Sequence, residues 1–404
     1  MRAKYPPNVE ALDPGFHWAP EFSREVVTPE RERIALRTDW PRERSLTESA
    51  VTFGVPFADG SLASAENARI VTADGTPVPA DLRTTATWWR EDGPVRWMLV
   101  SATLKRDEEY FIEFGTEVEA FEADGMTVEE TDDSIVINTG PLQATISKTR
   151  PTILDAATVD SEEIVTPAAA AANIPTVIDG EGNEYPASAD GFEASFERRG
   201  PMETVIRREG WYTSDAGEPF CQFITYTWFH AGSASVRHDH TLVVGFDTHE
   251  HTIRDIRLAM PVEGEMTGGR VWPRGDLRLG PGLSAEERQA NTLTIVTSFG
   301  FLPDDGSATI PPDALPARFV QTGERSVAAT AGGETEEIEA WAQGKIAGYR
   351  DGGIGVGIAV RDFAEQYPME LEVTRDAVVA HLWPAHDAPV LDFAPSAQMG
   401  DEYP

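Results

Sequence analysis

The stretch Val95-Arg96-Trp97-Met98-Leu99-Val100-Ser101-Ala102-Thr103-Leu104 decides the fold class. Side chains alternate along a strand, so Val95, Trp97 and Leu99 fall on one face and Arg96, Met98 and Val100 on the other. Both faces are substantially apolar, the pattern a small closed barrel requires. Upstream, Glu91-Asp92-Gly93-Pro94 is a turn, entered by a strand over Thr84–Trp89. Earlier still, Asp74-Gly75 suits a tight hairpin between Arg69–Thr72 and Pro77–Ala80. Ala50–Phe57 is a further strand, and Tyr110–Phe114 closes the block near Gly115.

A second block runs from Thr127 to Phe393 with longer strands. The clearest are Ser134–Asn138, Gln143–Ser147, Thr204–Tyr212, Gln222–His230, Ser235–Phe246, Thr252–Pro261, Leu293–Thr297, Gly353–Val360 and Val378–Trp383. No helical segments alternate with them, so the pairing is antiparallel. Helix is scarce. Ser284-Ala285-Glu286-Glu287 fits a capping box opening one short helix, Asp362–Tyr367 reads as a turn of helix stopped by Pro368, and Ala168–Ala172 is helix-prone. The expected fold is all-β: an irregular lead-in over 1–30, a small N-terminal β-barrel over 31–118, a large antiparallel β-sandwich over 125–395, and a tail over 396–404.

Of 404 residues, 33 are Lys or Arg and 68 are Asp or Glu, a net charge of −35. Self-repulsion of that size opposes the compact state, and molar salt screens it to within about 3 Å. Lys4, Lys105, Lys148 and Lys345 are the only lysines. That balance is the composition of proteins from salt-in halophiles, and ten tryptophans argue against disorder. The acidity argues against nucleic acid as a partner, because phosphates would be repelled and the sequence has no basic stripe. Met1–Trp18 has no apolar signal core and no stretch is long enough to span a membrane, so the expected location is the cytoplasm. Cys221 is the single cysteine, so neither an intrachain disulfide nor a thiolate metal cluster can form.

Several stretches resemble the exo-rhamnogalacturonan lyase (PcRGLX/YetA-like) family. In the first block these are Val51-Thr52-Phe53-Gly54-Val55-Pro56-Phe57, Gly60-Ser61-Leu62, Asp74-Gly75, and Trp88-Trp89-Arg90-Glu91-Asp92-Gly93-Pro94-Val95-Arg96-Trp97. In the second they are Gly200-Pro201, Val205-Ile206-Arg207-Arg208-Glu209-Gly210-Trp211-Tyr212, Ala231-Gly232-Ser233, Val236-Arg237, His240-Thr241-Leu242, Val360-Arg361-Asp362-Phe363 and Leu382-Trp383-Pro384. The resemblance implies a RIFT barrel followed by a supersandwich-like β-sandwich, and uronate-containing oligosaccharides of the rhamnogalacturonan type as substrates, cleaved by β-elimination. Members of that family continue into a helical toroid, whereas this sequence stops at Pro404. The expected partners are therefore an acidic oligosaccharide and a helical-domain chain.

Elimination from a uronate needs a cation for the carboxylate, a base for the C5 proton and an acid for the leaving oxygen. Arg, His and Tyr supply these roles. The richest stretch is Val236-Arg237-His238-Asp239-His240-Thr241, in which the histidines share one strand face and Arg237 takes the other. One strand cannot then serve both roles in one cleft. Arg207, Glu209 and Trp211 align on one face of their strand, Arg208 and Tyr212 on the other. The candidate catalytic residues are His240, Arg207, Arg237 and Tyr212; the candidate sugar-binding residues are Trp211, Arg208, Arg254, Trp341 and His381. Packing of the histidines inside the sandwich, and internal salt bridges for the arginines, are the plainer alternatives. The expected site uses no metal or cofactor; metal chemistry at His238 and His240 is a third reading. Against the lyase stands a non-catalytic β-module, glycan-binding or structural, from a truncated or split lyase.

Overall fold

In the computed structural model, Val95–Lys105 is the middle of a three-stranded antiparallel sheet, between Glu48–Pro56 and Ala80–Thr87. The residues described are 28–40, 47–89, 91–121, 124–272, 308–323, 326–339, 344–350, 355–361, 363, 366–386 and 390–392. The chain divides into two units, Met1–Asp124 and Gly125–Pro404.

Within the first unit the central strand buries one face from Met98 to Leu104. Met98, Val100, Ala102 and Leu104 are buried, whereas Trp97 is 44% exposed. The expectation of two apolar faces holds in part: on the second face Val95 and Ser101 are buried and Leu99 is half-buried, while Trp97 is exposed. Register shifts on either side of Trp97 leave Thr85 unpaired on the neighbouring strand and Arg96 unpaired on the central strand. Bulges of this kind sharpen the local twist, and Val95 returns to the core although it shares Trp97's parity. The Trp97 indole lies across Gly54, where a Cβ would collide with it. A second sheet runs in the order Glu32–Leu36, Tyr110–Phe114, Ala68–Thr72, Pro77–Val78. The expected hairpin is there: Gly75 has φ +92, and the Asp74 carboxylate accepts from the Thr72 hydroxyl and the Thr76 amide. Phe57, Leu62, Ile70, Val100, Ile112 and Phe114 form a core shared by both sheets. Glu113 is fully buried, and cross-strand neighbours Arg33 and Arg69 reach its carboxylate at 2.7 and 2.6 Å. They hold its carboxyl below the ordinary range against the opposing effect of burial.

The second unit contains four antiparallel sheets among the described residues. A five-stranded sheet spans Thr127–Val165, and an eight-stranded sheet gathers distant segments, with Ala377–Trp383 between Ile253–Pro261 and Glu370–Val373. A smaller sheet pairs Gly268–Trp272 with Ala308–Ile310 and with Lys345–Tyr349, the last followed by Gly355–Ala359. The sheet that matters for function runs Glu193–Arg199, Glu203–Thr213, Pro219–His230, Arg237–Val243 in simple meander order. The Ser235–Phe246 strand is thus shorter than its sequence pattern. The single α-helix among the described residues is Pro167–Ala172; the Thr166 hydroxyl accepts from the Ala169 amide and Pro167 presets its first turn. Phe363, Gln366 and Tyr367 are not helical. The Ser284–Glu287 capping box, the Leu293–Thr297 strand, most of the lead-in and the tail lie outside the described residues.

Candidate functional site

Strand alternation decides which side chains of the meander sheet meet. Arg208 and Tyr212 project inward from Glu203–Thr213; Phe223, Thr225 and Thr227 from Pro219–His230; His238 and His240 from Arg237–Val243. Arg208, Thr225 and His240 are directly opposite one another on three successive strands. Pro151, Thr152, Ile153, Pro175, Ala187 and Phe192 complete a cavity with room for about one water molecule.

The cavity is dominated by a buried cation. Arg208 is 2% exposed, and its Nη1 donates to the carbonyl oxygens of Thr152 at 2.5 Å and Ile153 at 3.1 Å. Its Nη2 donates to Thr227 Oγ1 at 2.9 Å. These partners are neutral, and no carboxylate among the described residues pairs with the guanidinium. Burial pulls its pKa down to about 10, which still leaves it charged at neutral pH. The two imidazoles are half-buried as residues, but their nitrogens face inward. His238 Nδ1 lies 3.0 Å from Thr227 Oγ1, and His240 Nε2 lies 3.2 Å from the Tyr212 phenol oxygen. Burial, then the Arg208 charge, lowers His240 to about 4 and His238 well below its ordinary value. Both are neutral at pH 7. Burial raises the Tyr212 phenol well above its usual range, with Cys221 adding to it. Three polar atoms are buried without a partner: Arg208 Nε, Thr225 Oγ1 and His240 Nδ1. Each such atom costs about 1–3 kcal/mol when nothing satisfies it.

The opposite face of the sheet carries the other residues singled out in the sequence. Arg207 pairs with Glu209 at 2.5 Å and Arg237 with Asp239 at 2.6 Å. The Arg237 guanidinium stacks 4.4 Å over the Trp228 ring, and Trp211 stands 36% exposed toward the other end of the same sheet. Arg207 and Arg237 therefore do not share the pocket of His240 and Tyr212; Arg208 takes that place. Arg254 is exposed on Ile253–Pro261. His381 is 4% exposed between Asp255 and Glu372, so its ring is no open sugar platform. Trp341 lies outside the described residues. A metal at His238 and His240 fits poorly, because it would sit against Arg208 and one nitrogen of each ring is already engaged. Sequence reading passed over Thr225 and Thr227. Their signal was polar residues on the buried face of an otherwise aromatic strand, Phe220 to Phe229.

An all-β chain with a small barrel, a β-sandwich and an Arg–Tyr–His pocket has the parts of a carbohydrate-active, lyase-like protein. The chain belongs to the PcRGLX-like family, which is related to rhamnogalacturonan lyases: residues 35–115 match the PcRGLX-like N-terminal RIFT barrel domain and residues 126–272 the PcRGLX-like protein central beta sandwich domain. No curated protein matches the chain. Among solved structures, a protein in the glycosyl hydrolase family 38 from Enterococcus faecalis is similar at TM-score 0.41 and 9% identity, over 88% of this chain. The chain spans 40% of that protein's length, and a likeness so distant carries no argument.

Proposed function

We propose that the cavity around Arg208 receives the carboxylate of a uronate sugar, and that the protein acts on rhamnogalacturonan-type acidic oligosaccharides by β-elimination. The observation that carries this reading is the uncompensated buried guanidinium with unpartnered Arg208 Nε, Thr225 Oγ1 and His240 Nδ1 around one water-sized space. One carboxylate oxygen fits that space, and the donors there are pre-oriented for negative charge. Neutralising the carboxylate acidifies the C5 proton. If His240 Nε2–H is donated to the Tyr212 oxygen, Nδ1 presents a lone pair to the cavity and acts as the base. The bound carboxylate also cancels the Arg208 field that depresses His240, so the base strengthens when substrate arrives. The C5–H bond breaks to His240, the C4–O bond breaks, the C4=C5 bond forms, and the leaving oxygen takes a proton from solvent.

The size of the cavity favours a second reading, glycan binding without turnover. It admits a carboxylate oxygen but no sugar ring, which would lie at the mouth beside the half-buried imidazoles. Saturated rhamnogalacturonan oligosaccharide incubated with the protein in molar KCl separates the two. New ultraviolet absorbance from the C4=C5 enoate, with a matching unsaturated product on chromatography, establishes elimination. Calorimetric binding of galacturonate without product establishes the binding reading, and addition of a helical-domain partner then tests whether the chain is half of a lyase. The absence of both binding and product sinks the proposal.

A further inference from the structure

A second cluster of ionisable side chains lies in the eight-stranded sheet, on strands not used by the cavity around Arg208. Glu370 and Glu372 are two apart on Glu370–Val373 and share a face; His381, on Ala377–Trp383, is directly opposite Glu370. The ligand atoms of these three residues all lie within 4.8 Å of one another. His381 Nε2 is 3.6 Å from Glu372 Oε2, too long for a hydrogen bond. That distance is close to the roughly 3.4 Å between neighbouring ligands around a tetrahedral ion with bonds of about 2.1 Å. Two of the atoms are buried without a partner, Glu370 Oε1 and His381 Nε2. Glu370 is 0% and His381 4% exposed.

The surrounding groups hold those atoms in place. Asp255, from Ile253–Pro261, accepts the His381 Nδ1–H at 2.9 Å, so Nε2 is the nitrogen turned toward Glu372, and a metal would displace the proton held there. His386 Nδ1 engages the other Glu370 oxygen at 3.0 Å, which leaves Oε1 without a hydrogen bond. A carboxylate behind a histidine is the usual support of a metal-bound imidazole, since it fixes the tautomer and raises ligand basicity. The His386 side chain is 47% exposed and Glu372 19%, so the cluster opens to solvent on one side. Mixed imidazole and carboxylate donors suit a first-row transition ion better than calcium or magnesium, which prefer all-oxygen shells.

We propose that Glu370, Glu372 and His381 bind a divalent transition-metal ion, zinc by preference, with Asp255 and His386 as positioning residues. Water fills the remaining position. The ion joins two neighbouring strands and, through Asp255, a third.

The test uses full-length protein stripped with a chelator and titrated with zinc in high salt, which screens loose binding to its many surface carboxylates. The expected result is one tight equivalent by calorimetry, a raised melting temperature, and visible ligand-field bands when cobalt replaces zinc. Glu372→Gln, at a partly exposed position, should keep the fold by circular dichroism and weaken binding at least tenfold. His381→Gln should abolish the cobalt bands, and Asp255→Asn should weaken binding less than either. Zinc uptake equal in wild type and Glu372→Gln overturns the site. Preference for calcium over zinc overturns the class of metal, and no tight equivalent in wild type overturns both. Because these readouts are independent of any sugar, failure here leaves the uronate reading standing, and the reverse also holds.

Discussion

Arg208 and His240 stand on one line across the meander sheet, two strands apart with Thr225 between them. The guanidinium is a permanent charge, and the imidazole two strands away titrates at about 4 partly because of it. The two residues are therefore electrically linked, and neutralising one changes the other.

Replacing Arg208 with methionine removes the charge while keeping a long apolar chain. A buried cation without a counter-charge stabilises little, so the variant should fold with a melting temperature near or above that of wild type. It should lose galacturonate binding by calorimetry. Retained binding would disconnect the cavity from the carboxylate.

The pH dependence of stability follows from His240. Its folded pKa is depressed to about 4 from an ordinary value of 6.5. The unfolded chain therefore takes up a proton more readily, and this contribution to stability is fully present above about pH 6.5 and is lost as pH falls through about 4. Urea unfolding between pH 7.5 and 4 should show a steeper loss for wild type than for His240→Gln. Equal slopes would mean the imidazole is not buried as described.

A net charge of −35 predicts that the protein needs salt. Its thermal midpoint should climb steadily from low to molar KCl. A flat profile would remove the halophile reading and with it the argument for a high-salt cytoplasm.

Glu113→Gln should destabilise the barrel unit by about 3 kcal/mol or less. It leaves Arg33 and Arg69 facing a neutral amide, but both arginines are partly exposed and solvent screens them. Because the Glu113 carboxyl is held below its ordinary value of 4.5, its contribution in wild type is present above that pH and is lost as pH falls further, so the variant should lose less stability on acidification below 4.5. Denaturant unfolding followed by fluorescence measures both effects.

Much of the fold was legible because its signals are local. The Asp74-Gly75 turn and the alternation over Glu203–His230 need only neighbours in the chain to be read. Alternation also placed His238 with His240 and separated Arg237 from them. Two features escaped it. The bulge beside Trp97 exposed that indole while Val95 stayed in the core, and a bulge depends on the partner strand. The eight-stranded sheet joins Ile253–Pro261 to Ala377–Trp383 across more than a hundred residues, so nothing local tied His381 to Asp255.

The sequence by itself determined the all-β class, the acidic surface and the list of side chains able to handle a uronate. Only the tertiary structure decided that Arg208, rather than Arg207 or Arg237, shares a pocket with His240 and Tyr212. Strand periodicity says which residues of one strand lie together, but not which of its two faces a neighbouring strand turns toward the same cavity. Packing of the Pro151–Ile153 segment over the inner face settled that, by supplying the carbonyl oxygens that hold the Arg208 cation in place.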